Sequence, residues 1–132
     1  MNTKPYVLLI EDDQWLADSY QVMLNAEDIE VRQVSTGHEA MQLIEESTPA
    51  VIVADVLLGD HTSITLFHEL QSYEDTRSIP VILCTTLGQA SFQETELRSY
   101  GIEAVLDKAT LTPEQLVVAV APYMNERKGL LA

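Results

Sequence analysis

A chain of 132 residues suits one domain around one core, and with 46% hydrophobic residues it is globular rather than disordered. Twenty-one acids against seven Lys and Arg leave a formal net charge of −14, so neither nucleic acid nor an anionic membrane surface is expected to touch this domain directly. The single cysteine, Cys84, excludes an internal disulfide and a cysteine-based zinc site. With no signal-peptide stretch in residues 1–6 and no apolar run near the ~20 residues of a membrane helix, a cytoplasmic location is expected.

Apolar runs then alternate with amphipathic stretches along the chain. Tyr6-Val7-Leu8-Leu9-Ile10 predicts a buried strand. Leu16, Tyr20, Met23 and Leu24 recur at helical spacing, so a first helix is predicted from Trp15 to Ala26, with Asp13 as its cap and Trp15 packed at its start. Residues 30–34 predict a more polar strand near an edge. Thr36 and Glu39 form a capping box for a second helix with Ala40, Leu43 and Ile44 on one face. Val51-Ile52-Val53-Ala54 predicts a second fully apolar strand, followed by a weaker helix from Ser63 to Tyr73. Pro80 precedes the strand Val81-Ile82-Leu83-Cys84, in which Cys84 is a small core residue. Ser91 and Glu94 form another capping box, and Gly101 stops that helix. Ala104-Val105-Leu106 is the last predicted strand. Thr112-Pro113-Glu114-Gln115 opens a last helix lined by Leu116, Val117, Val120 and Met124. Residues 1–125 are expected to form the domain, and 126–132 a tail too short for a second one.

Five such βα units imply a parallel sheet with helices on both faces, a doubly wound three-layer α/β/α sandwich. Sites in such sheets form beyond the carboxyl ends of the strands. Those ends carry Glu11-Asp12-Asp13, Asp55, Thr85-Thr86 and Asp107-Lys108. If the first and third strands are neighbours, Glu11, Asp12 and Asp55 converge, and carboxylates so close repel one another, which packing alone does not explain. A divalent cation explains it, because hard oxygen ligands are what Mg²⁺ takes. A carboxylate nucleophile, a metal, the Lys108 cation and the Thr85 hydroxyl together suit phosphoryl transfer. Thr86 reads as structural, and His61 as a solvent-exposed loop residue.

Leu9-Ile10-Glu11-Asp12-Asp13, Val53-Ala54-Asp55, Pro80 through Thr85, and Gly101 through Lys108 resemble, in order, four motifs of the receiver domains of two-component response regulators. The resemblance spans about residues 5–125. It implies a flavodoxin-like strand order 2-1-3-4-5, the order that a member of the family illustrates among doubly wound folds. It implies Asp55 as phosphoacceptor, with Lys108 and Thr85 contacting the phosphoryl group. Glu11, Asp12, Asp55 and the backbone carbonyl of Leu57 would hold Mg²⁺ or Mn²⁺. It further implies a histidine kinase or histidine phosphotransfer protein as phosphodonor, and a downstream protein target or output domain. Such a domain catalyses its own phosphorylation and dephosphorylation but acts mainly as a switch. The chain departs from the family pattern at Gly59 and Ala109, where proline is usual, at Thr62-Ser63 in place of Asp-Gly, and at Val105 in place of an aromatic. Leu57 and Leu87 stand at two variable positions beside the path of hydrolytic water.

A phosphorylation-independent interaction module of the same fold is the alternative, motivated by Val105 and Ala109. A phosphatase with a strand-end Asp nucleophile would need a second acid where this chain has Leu57. A flavin site would need a hydroxyl- and glycine-rich loop where it has Glu11-Asp12-Asp13, and no dinucleotide or Walker loop is present.

Overall fold

The computed structural model describes residues 4–58, 61–86 and 94–131. Gly59, Leu87 and the Ser91 half of the predicted capping box lie outside the described residues, as does the side chain of His61. In chain order the elements are β1 (Tyr6–Ile10), α1 (Gln14–Asn25), β2 (Glu30–Val34), α2 (Gly37–Glu46), β3 (Val51–Ala54), β4 (Leu57–Leu58), β5 (His61–Thr62), α3 (Ile64–Ser72), β6 (Val81–Thr85), α4 (Glu94–Ser99), β7 (Ile102–Asp107) and α5 (Pro113–Leu131).

Five strands make one parallel sheet in the order β2-β1-β3-β6-β7. Counting only its own strands, that sheet is the doubly wound 2-1-3-4-5 arrangement. Burial follows position in the sheet. Every residue of β1, β3 and β6 is buried, because these central strands are covered on both faces. The outer strands β2 and β7 are mostly half-buried, as the polar sequence of residues 30–34 predicted.

Side-chain alternation along the strands divides the core in two. On one face Tyr6, Leu8, Ile10, Ile52, Ala54, Val81 and Leu83 pack with Ala40, Met41 and Ile44 of α2 and Leu66, Phe67 and Leu70 of α3. On the other, Val7, Leu9, Val51, Val53, Ile82 and Cys84 pack with Ala17, Tyr20 and Leu24 of α1 and Leu116, Val120 and Met124 of α5. Burial pushes the Cys84 thiol up to about 12, leaving an inert core thiol.

Local chemistry sets the helix ends. Asp13 accepts hydrogen bonds from the amides of Trp15 and Leu16, and Thr36 and Glu39 close a capping box. Gly101 takes φ 73° after α4, a conformation that suits glycine. At the outer edge, Arg32 lies 4.2 Å above the Tyr6 ring centroid and pairs with Glu30 at 3.1 Å.

Several details differ from the sequence expectations. Trp15 is 77% exposed rather than packed, because Ala17, Tyr20 and Leu24 define the inward stripe of α1 and Trp15 falls outside it. β7 begins at Ile102, two residues earlier than its most apolar stretch. The short antiparallel pair of β4 and β5 has no periodic signal in so few residues. α5 continues past residue 125 through most of the segment expected to be a tail.

Candidate functional site

The carboxyl ends of β1, β3, β6 and β7 bring together the residues singled out by their strand-end positions. Parallel register places them: Ile10 pairs with Ala54, so Glu11 and Asp55 leave adjacent strands side by side. Thr85 pairs with Asp107, which sets Lys108 one residue beyond. The Lys108 amide donates to the Thr85 carbonyl at 3.1 Å, holding the turn after β7 against β6. The amide of Ala109 donates to the Asp107 carboxylate at 2.9 Å. No described peptide bond is cis, so the one between Lys108 and Ala109 is trans, as the loss of proline at 109 suggested.

At the centre stands the Lys108 ammonium. Its Nζ lies 2.6 Å from Asp55 Oδ2 and 2.8 Å from Glu11 Oε1. Glu11 is 2% exposed and Asp55 9%, while Thr85 is wholly buried. Burial by itself would lower the Lys108 pKa, but hydrogen bonds and charge from Asp55 and Glu11 outweigh it and hold the amine above the ordinary lysine value. Lys108 therefore stays cationic at any physiological pH.

Asp12 is exposed, and among the described residues no group of three His, Cys, Asp or Glu side chains is gathered closely enough to hold a metal ion. Two of the three expected carboxylates meet, and the ammonium sits between them because it is the charge at hand that offsets their repulsion. One cation against two buried anions still leaves the pocket negative, with Asp12 next in the chain. Oxygen-only donors with surplus negative charge suit a hard divalent cation such as Mg²⁺ or Mn²⁺. The backbone of Leu57 lies in β4, two residues beyond Asp55.

Two residues that sequence reasoning passed over hold the site's backbone. Gln33 of β2 donates from Nε2 to the Glu11 carbonyl at 2.8 Å, while the Glu11 amide donates to the Val34 carbonyl at 3.0 Å. Glu11 also accepts the Asp13 amide on Oε2 at 3.2 Å, which steers its carboxylate. Ser63, fully buried, donates from Oγ to the Asp55 carbonyl at 2.7 Å, and its amide donates to the Val56 carbonyl at 2.8 Å. Gln33 gave no sequence signal beyond being polar on a strand. Ser63 was visible only as a departure from a familiar pattern.

Comparison with known proteins gives the chain a family. A family model described as the response regulator receiver domain matches residues 7–121. The polar-differentiation response regulator DivK of Brucella ovis is 25% identical over 120 residues, covering 91% of this chain and 96% of DivK. The phosphate regulon transcriptional regulatory protein PhoB of Rhizobium meliloti is 28% identical over 128 residues, 97% of this chain but 56% of PhoB. Among solved structures, the signal receiver domain of a Luxo repressor protein from Vibrio parahaemolyticus superposes with a TM-score of 0.82 at 29% identity, covering 96% of this chain and 94% of that one. The receiver domain of NtrX from Brucella abortus shares the fold, with a TM-score of 0.77 at 17% identity over 90% of this chain and 98% of that one. The chain belongs to the response regulator receiver domain family of two-component signalling.

Proposed function

We propose that this receiver accepts a phosphoryl group on Asp55 from a phosphohistidine of a histidine kinase or histidine phosphotransfer protein, in a reaction that depends on Mg²⁺ or Mn²⁺. The observation that carries the reading is the Lys108 ammonium, 2.6 Å from Asp55 Oδ2 and 2.8 Å from Glu11 Oε1 at the end of the sheet. An Asp55 carboxylate oxygen attacks phosphorus, the O–P bond forms as the donor's P–N bond breaks, and the departing ring nitrogen keeps the bonding pair and takes a proton. Lys108 pairs with the phosphoryl oxygens, and the Thr85 hydroxyl donates a hydrogen bond to one of them. Glu11, Asp12, Asp55 and the Leu57 carbonyl would hold the metal, which when bound neutralises charge on the phosphoryl oxygens. The phosphorylated domain then acts on a downstream protein target or output domain. It works in the cytoplasm without touching nucleic acid or membrane itself; among the described residues no helix is long and apolar enough to cross a membrane.

The test is intact-protein mass spectrometry after incubation with acetyl phosphate and Mg²⁺. Wild type should gain one phosphoryl group; Asp55→Asn, and wild type with EDTA, should not. Equal labelling of wild type and Asp55→Asn would refute the assignment.

A further inference from the structure

Ser63 immediately precedes α3, where serine ordinarily caps a helix by accepting a hydrogen bond from the first-turn amides. Here it does not: φ is −81° and ψ −1°, and no side-chain cap bond forms. The hydroxyl is turned the other way and donates to the Asp55 carbonyl at 2.7 Å. The Ser63 amide donates to the next carbonyl, Val56, at 2.8 Å, and the Ser63 carbonyl accepts the Phe67 amide at 3.0 Å. One residue thus ties two consecutive peptide groups, beginning with that of Asp55, to the first turn of α3.

The Asp55 carbonyl lies in the peptide plane that leaves β3, so anchoring its oxygen holds the N, Cα and C atoms of Asp55 between the strand and α3, and these three atoms set the direction in which its Cβ projects. The second of these bonds, to the Val56 carbonyl, holds the residue next to Leu57, whose own carbonyl lies in β4. Ser63 is fully buried and Asp55 nearly so, and there a hydrogen bond is stronger and its loss more costly than in water.

We propose that Ser63 is a positioning residue for phosphoryl acceptance: its hydroxyl, through the Asp55 carbonyl, aims the Asp55 carboxylate and the Leu57 carbonyl toward the metal and Lys108. The proposal rests on Asp55 being the phosphoacceptor. Groups that orient metal ligands from behind typically change metal affinity or activity by about 10–100-fold when removed, and Ser63 belongs to that range. Its φ is negative and its ψ near zero, backbone angles open to any L-residue, so alanine or glycine fits without a left-handed backbone.

The experiment compares wild type, Ser63→Ala, Ser63→Gly and Ser63→Thr, each as the 132-residue chain. Unfolding in urea without metal reads stability. Initial phosphorylation by acetyl phosphate across an Mg²⁺ titration reads the half-saturating metal concentration. The carbon-13 shift of the Asp55 carbonyl, without metal, reports loss of the Ser63 bond, and that of its carboxyl reports any change in the carboxylate's hydrogen bonding to Lys108. Ser63→Ala and Ser63→Gly should stay folded, need about tenfold more Mg²⁺ for half-maximal rate, and move both Asp55 shifts, while Ser63→Thr, which keeps the donor, stays close to wild type. A loss of stability with unchanged Mg²⁺ dependence would mean a purely structural role and overturn the proposal, as would equal losses in all three variants. A wild type that takes up no phosphoryl group would instead remove the functional reading. The metal-free carboxyl shift would then decide alone whether Ser63 aims Asp55, and no change in it would overturn that too.

Discussion

Replacing Lys108 with methionine keeps much of the side chain's bulk and removes its charge, leaving Glu11 and Asp55 facing each other. Their nearest oxygens both lie within hydrogen-bond reach of one nitrogen, so they are separated by no more than the sum of its two contacts, 2.6 and 2.8 Å. Two unit charges about 5 Å apart repel by roughly 3 kcal/mol at an effective dielectric constant near 20. That agrees with the ~3–5 kcal/mol typical of breaking a buried ion pair from one side. At pH 8, urea unfolding should therefore find Lys108→Met less stable than wild type by about 3 kcal/mol, a shift of roughly 10 °C in Tm for a chain of this size. Millimolar Mg²⁺ should shrink this deficit, since a bound cation would replace the missing charge and so favour the folded state. A variant as stable as wild type at pH 8, or a deficit that Mg²⁺ leaves unchanged, would refute the charge argument.

The Cys84 thiol, with an ordinary value of 9.0, is raised to about 12 by burial, so the unfolded chain ionises first as the pH climbs. The stability this adds is fully present below pH 9 and is lost as the pH rises through the folded value, falling by about 1.4 kcal/mol per pH unit for the one proton. Cys84→Ala should flatten that slope in urea titrations between pH 9 and 11, and an unchanged slope would count against a buried neutral thiol. At Gly101, φ is 73° and a Cβ would come within 3.0 Å of Gln71 Nε2; Gly101→Ala should lower stability by about 1–2 kcal/mol, and a neutral result would contradict the strained turn. Val105, β-branched and half-buried against the core beside α4, is too stiff about χ1 to swing as an aromatic would. Amide NMR with beryllofluoride and Mg²⁺ should show changes concentrated around Asp55 and Thr85, and large changes centred on Val105 would argue for a full switch through β7.

Much of this was legible before any coordinates. Val51-Ile52-Val53-Ala54 and Val81-Ile82-Leu83-Cys84 read as central strands because a strand covered on both faces has no polar side. Thr36 with Glu39, and Asp13, read as caps because orphan amides at a helix start require an acceptor. Strand order was another matter. Apolar runs say that strands exist, and only the resemblance ordered them. Trp15 was misjudged because a large apolar side chain is common inside proteins, whereas burial in α1 is decided by which stripe faces the sheet. At the site, Glu11, Asp55, Thr85 and Lys108 could be picked out as strand-end residues. Gln33 and Ser63 could not, because what matters in each is one long-range bond from a side chain to a main-chain carbonyl, at sequence separations of 22 and 8. Propensity and periodicity carry no trace of such bonds.

The outer edge of β2 bears on how the protein behaves in a crowded solution. An edge strand offers unpaired amides and carbonyls to any extended chain that comes alongside, and that is how sheets grow into aggregates. β2 carries charged side chains there: Arg32 pairs with Glu30 and reaches back over the Tyr6 ring of β1. A strand adding alongside would have to desolvate these charges. At the opposite edge, Glu103 of β7 is exposed. Charge at both margins makes either edge of the five-stranded sheet a poor template for a further strand, while its central strands remain among the most apolar segments of the chain.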